Sequence, residues 1–432
     1  MSKSLSRAAI IAAAACWPVL AAAQNVPAPS DPHEHVHDMS TMQEPERPSP
    51  AGWHLMQDGA LYVLFNEQGG RRGGREVRVP NWWMGMATRK AGGGDLTLSG
   101  MVSLDPATVG PRGYRELFQV GEAYDGAPIV DRQHPHDLWM QLSAAWRKPV
   151  GRGGVTFAGA LAGEPALGPV AFMHRASAAA IPLAPLGHHT FDSTHVTFGL
   201  ATVGVDRGPF AIEASVFNGR EPDQHRWDID LGRMDSYAGR LWFRPTTSLE
   251  LQISRGHLVE PEQLHDGDVT RTTASASFTR GPDTRMLALT AGVGMNQSGH
   301  VTRHAAFGEA TRTFGSTTLS VRAEVVEVES MLLVSGTLPT SHDDEERKDL
   351  VGAFTLGVQR DIGRWKGFTA AIGANGVVYR VPSILQPSHG DHPASAQLFL
   401  QLRPPTGGMG RMWNMRMAGP PMAGDPHAQH QH

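Results

Sequence analysis

Cysteine is all but missing from this 432-residue sequence: the single one, Cys16, lies inside an N-terminal apolar run. Lys3 and Arg7 precede that run, which extends from Ala8 to Leu20, and Ala21-Ala22-Ala23 follows it. This is the layout of a secretory signal, with cleavage expected after Ala23. Reading Ala-Ala-Cys as a lipoprotein site would cut the apolar core short and set Trp17 after the lipidated residue. The mature chain then has no cysteine, which excludes disulfides and thiolate metal sites. Further on, no apolar run approaches the roughly eighteen residues of a membrane-spanning helix. Charge of one sign is lacking too, and a net charge of −4 gives no case for nucleic acid as a partner.

What the chain has in quantity is glycine, 49 residues, with 31 prolines and 40% hydrophobic content. An exported, helix-poor, cysteine-free chain of this size suggests an outer-membrane barrel, with a large soluble sandwich or propeller as the competing class. Period-two alternation, the signal of half-buried strands, runs through the middle. LELQIS sets Leu249, Leu251 and Ile253 against Glu250, Gln252 and Ser254, and AQLFLQL sets Leu398, Leu400 and Leu402 against Gln397 and Gln401. LTLSGMVSL and MLALTAGVGM behave alike. Transmembrane barrels alternate in this way, apolar toward lipid and polar or small toward the lumen.

The breaks are more specific. Short turns are expected at 91–94, 151–154, 206–208, 245–248, 281–283, 314–317 and 363–367, and longer polar loops around 70–80, 105–137, 164–193, 218–234, 258–268, 296–303, 330–348 and 382–394. Alternating short and long connections are the pattern of tight periplasmic turns and long extracellular loops. The expectation is an all-β transmembrane antiparallel barrel of sixteen strands over 58–405, or fourteen if a pair merges, in a Gram-negative outer membrane. Disordered segments at 24–57 and 406–432 flank it. Val325-Val326 interrupts the alternation, which suggests a bulge or a strand end there.

Two long loops are rich in coordinating groups. VDRQHPHD carries Asp131, His134, His136 and Asp137, and the next loop carries His174, His188, His189, Asp192 and His195. The second also contains an apolar, proline-rich stretch that is poorly placed in open water, so both loops are expected to fold inward as a plug. That fold would gather these groups, with Asp223 and His225, into one region. Histidine and carboxylate ligands suit copper(II) or zinc. The competing reading is a polar network in which Arg132, Arg175, Arg220 and Arg226 pair with carboxylates to hold the loops. The flanking segments add His33, His35 and His37 at one end and Met409, Met412, Met415 and Met417 at the other. Thioether sulfur selects copper(I) and imidazole accepts copper(II) or zinc, so such tails can collect copper in either oxidation state. Ser193 beside His189, Asp192 and His195 raises a lipid hydrolase or acyltransferase as a further alternative, although no nucleophile-elbow pattern is present. A passive or substrate-specific porin, with the same residues lining an eyelet, is the other.

NEQGG (66–70), NWWMGM (81–86), GYRELFQVGEAYDG (113–126), VDRQHPHD (130–137), GEPALGPVAFMHR (163–175), PLGHHTFDSTH (185–195) and FNGREPDQHRWD (217–228) together resemble a group of largely uncharacterised proteobacterial outer-membrane proteins. Members tend to be encoded among metal-resistance, especially copper-resistance, genes. The resemblance covers roughly the first half of the barrel. It implies a membrane barrel and adds to the metal reading; the partners expected are metal ions or small solutes, outer-membrane lipid and periplasmic metal-handling proteins.

Overall fold

The computed structural model describes residues 52–120, 122–263, 265, 267–339, 341–406, 411, 412 and 414. The secretory-signal reading, His33, His35, His37, Met409, Met415 and Met417 lie outside the described residues. Sixteen antiparallel strands, from β1 (His54–Gln68) to β16 (Ala394–Arg403), close into one barrel. The seam pairs Leu61 with Leu402 and Glu67 with Ala396. The first strand thus begins four residues before the expected 58, within the segment read as an N-terminal extension.

The alternation acts as anticipated. Leu251, Ile253, Leu398, Leu400 and Leu402 are exposed on the outer face, while Gln252, Ser254, Gln397 and Gln401 are buried toward the lumen. In lipid the outward leucines need no protein partner, and the closed ladder leaves no unsatisfied sheet edge. All seven short turns occur where expected.

Three local expectations need correction. The stretch 296–303 is no long loop: strands Leu287–Ser298 and Val301–Phe314 meet at a two-residue turn, with Gly299 at φ +53°. The stretch 70–80 is not one loop, because Gly74–Arg78 within it is strand. The second barrel strand comes in two pieces, Gly74–Arg78 and Asn81–Ala91, that pair with the first in one unbroken register. Pro80 cannot donate to the ladder, and at the gap Val79 N–H donates to Thr108 O instead. At Val325-Val326 the strand Thr317–Glu329 runs on without a bulge, although its pairing with the preceding strand ends at Val326. Val326 faces inward because it packs against Phe118 and Leu186 from the loops.

The loops between 103 and 138 and between 164 and 196 turn into the lumen, and the second is buried almost throughout. Its contacts reach strands on the far wall. Ser177 Oγ donates to Glu309 and lies 2.7 Å from Thr290 Oγ1, Ala180 N–H donates to Ser320 Oγ, and Asn296 Nδ2 donates to His189 O. Arg175 is the central anchor. Its guanidinium sits 3.0 Å from Glu309 of the wall and 2.9 Å from Asp192 of its own loop, and Glu309 also takes Arg322 at 2.9 Å. All four are almost fully buried. The chain beyond the last strand enters the barrel as well: Asn414 N–H donates to His174 O and Met412 N–H to Asp58.

Removing one member of a buried charge pair leaves its partner uncompensated, at a cost of about 3–5 kcal/mol. Arg175→Met should therefore lower the urea midpoint and free the plug, raising single-channel conductance in planar bilayers. Unaltered conductance together with an unaltered midpoint would count against the anchor.

Candidate functional site

The plug holds six histidines, and their rings form a string. His189 and His134 have centroids 5.5 Å apart, His134 and His188 5.7 Å, His188 and His195 5.3 Å, and His195 and His136 5.6 Å. His174 stands to one side, edge-on to Trp82 at 4.9 Å. The backbone explains how residues from two loops meet. His134 and His136 lie on the extended chain after the short ladder formed by Tyr114–Arg115 and Arg132–Gln133. His188 and His189 occupy one helical turn, His188–Phe191, and His195 ends the 3-10 turn that follows.

Nearly every ring is held by Nδ1. His188 Nδ1 lies 2.8 Å from Asp192 Oδ1, His136 Nδ1 2.9 Å from Asp105, and His134 Nδ1 3.1 Å from Glu122. His189 Nδ1 lies 3.3 Å from Glu221, and His195 Nδ1 2.7 Å from the Asp192 carbonyl. An Nδ1–H donated to oxygen fixes the tautomer and leaves Nε2 as a lone pair. For His134, His188 and His195 that Nε2 is buried without a hydrogen-bond partner. One nitrogen from each of His134, His188 and His189 lies within 4.8 Å of the other two. Burial holds His188 neutral, at about 4, and pushes His134 and His195 well down. Asp192 stays ionised: burial opposes the charge, but Arg175 and then His188 outweigh it.

The other expected ligands are placed elsewhere. Asp131, with a left-handed φ of +55°, accepts from Phe118 N–H and is bridged to His389 at 3.0 Å and Arg72 at 3.2 Å. Among the described residues, the histidine it pairs with is His389 and none of the six plug histidines. Asp137 pairs with Arg226 at 3.1 Å. His225 is exposed beside Asp223, in an acidic group with Asp228 and Asp230, so neither His225 nor Asp223 joins the plug. All four arginines of the network reading do meet carboxylates: Arg132 with Glu76, Arg175 with Glu309, Arg220 with Asp235 and Arg226 with Asp137. Ser193 Oγ accepts from Arg271 and makes no bond to a histidine among the described residues, so the hydrolase arrangement is not formed. Met412, expected in a collecting tail, is packed inside the barrel. Sequence reading missed Asp105, Glu122, Glu221 and His389, which are separated from their partners by 31, 12, 32 and 258 residues.

Burial holds His188 and His174 at about 4, whereas an unfolded imidazole titrates near about 6.5. The folded state therefore binds fewer protons, and the stability tied to these neutral rings is complete above about 6.5 and is lost as the pH falls toward about 4. Protease cleavage within 164–196 of the metal-stripped protein should rise across that window while the strand signal persists in circular dichroism. A digestion pattern that is the same at both ends of the window would disprove this.

No family model matches the sequence, and no curated protein matches it. Among solved structures the chain is similar to Pseudomonas putida OprB, at 11% identity and TM-score 0.52 over 82% of this chain and 94% of that one. An anion-selective porin from Comamonas acidovorans gives 10% and 0.50 over 81% and 99%. Salmonella typhi OmpF, in complex with daunomycin, gives 9% and 0.50 over 81% and 97%. At such identities the likeness speaks to the fold, and the fold is that of an outer-membrane β-barrel.

Proposed function

We propose that this outer-membrane barrel binds a transition-metal ion in its plug and serves copper binding, transport or tolerance, with zinc as the alternative ion. One observation carries the reading: the nitrogens of His134, His188 and His189 converge within 4.8 Å, while oxygen partners occupy their Nδ1 atoms. Neutral imidazoles suit copper(II) and zinc, and bonds of about 2.0–2.1 Å would draw the three rings inward. A carboxylate behind each ring raises its basicity and fixes its aim. In this reading His136 and His195 extend the imidazole string, and the His- and Met-bearing ends collect copper for exchange with periplasmic partners.

A porin is the second reading. A cavity of about 110 Å³ beside His189, lined by Gln119, Thr190, His265 and Arg303 among others, favours it by offering polar space on the long-loop side. Steady bilayer conductance that ignores copper would support that alternative.

The test is the metal content of the refolded full chain after copper(II) or zinc loading. His134→Ala and His188→Ala should each cost one tightly held ion per chain, and Glu221→Gln should weaken it about 10–100-fold. If all three variants keep the wild-type count and affinity, the proposal fails.

A further inference from the structure

The lumen wall beside the plug carries an unexpected lining. Barrel interiors are polar, and many inward positions here are Ser, Thr, Gln, Arg or Glu. The first four strands also place methionines inward. Met84 and Met101 are direct cross-strand partners, as are Met56 and Met86. Met140 joins them from the fourth strand, and all belong to one packed cluster. Cross-strand neighbours stand about 4.5–5.5 Å apart at Cβ, so their flexible thioethers can reach a common point.

Two further observations point to a ligand. His174 is 1% exposed, and neither of its ring nitrogens has a hydrogen-bond partner. A buried imidazole left so is costly, yet it sits against Trp82, a member of the methionine cluster, and next in sequence to Met173, which packs on it. The chain after the last strand converges on the same place. Asn414 N–H donates to the carbonyl of His174, and Met412 is buried in the cluster.

We infer that His174 and the methionine thioethers of the first four strands form a second metal site, for a soft monovalent ion of the copper(I) class. Thioether sulfur selects such ions, and one imidazole completes the set. This site shares no residue with the imidazole triad and stands independently of it. It lies where the plug meets the C-terminal segment, with Met412 packed in the same cluster.

The experiment uses the full chain in micelles, with 13C-methyl methionine and silver(I) as a redox-inert probe. Methyl signals of Met84, Met101 and Met140, assigned by single Leu substitutions, should shift with the first equivalent of silver(I) and stay still with zinc. His174→Ala should abolish those shifts, and His134→Ala should leave them intact. The triple variant Met84→Leu/Met101→Leu/Met140→Leu keeps volume and apolarity and should fold with the wild-type urea midpoint while binding fewer silver ions. If the three methyl signals never move, or the triple variant binds as much silver as the wild type, the site does not exist and the methionines are packing.

Discussion

The buried pairing of Arg175 with Glu309 and Asp192 is the constraint on which the interior depends. A guanidinium almost wholly removed from water is tolerable only when carboxylates surround it, and here one carboxylate belongs to the wall and the other to the plug. The pair therefore fixes where the loop sits relative to the barrel. Asp192 has a second task. Its other oxygen holds His188 Nδ1, so one carboxylate relays the position of the wall to the ring that faces His134 and His189. Loosening the arginine would disturb the imidazoles without touching them.

This arrangement reconciles two readings of the same residues. The arginines and acids form a paired network that builds the plug, and five of its histidines are held through Nδ1, four by carboxylates and His195 by the Asp192 carbonyl. Within these side chains Nδ1 faces the scaffold, and Nε2 of His134, His188 and His195 is buried without a hydrogen-bond partner.

Much of the barrel was legible because lipid imposes a simple rule. Leu398, Leu400 and Leu402 had to point outward and Gln397 and Gln401 inward, and glycine-bearing turns marked the ends. The rule fails where strands leave the membrane. Asn296-Gln297-Ser298 reads as loop because it is polar, yet it is strand lying against the plug and rim. Pro80 looks like a break, yet register continues across it: Tyr62 N–H donates to Pro80 O, and Val79 N–H turns to Thr108 O. The inward folding of the 164–193 stretch was readable from its apolar composition. The partners of the plug histidines were not: Asp105 meets His136 and Glu221 meets His189 only through tertiary structure, and no local spacing announces them. Met84, Met86 and Met101 were equally silent, since their shared face depends on cross-strand register.

Closure of the barrel has a consequence for how it can be made. The seam joins strands from opposite ends of the chain, and Gln401 meets Tyr62 across 339 residues. Contacts so distant in sequence form slowly, whereas the plug is threaded between neighbouring strands early in the chain. Once the seam has shut, segment 164–196 and the residues around Met412 would have no lateral way in. The pairing of the last strand with the first is therefore the clasp that closes the wall around its contents.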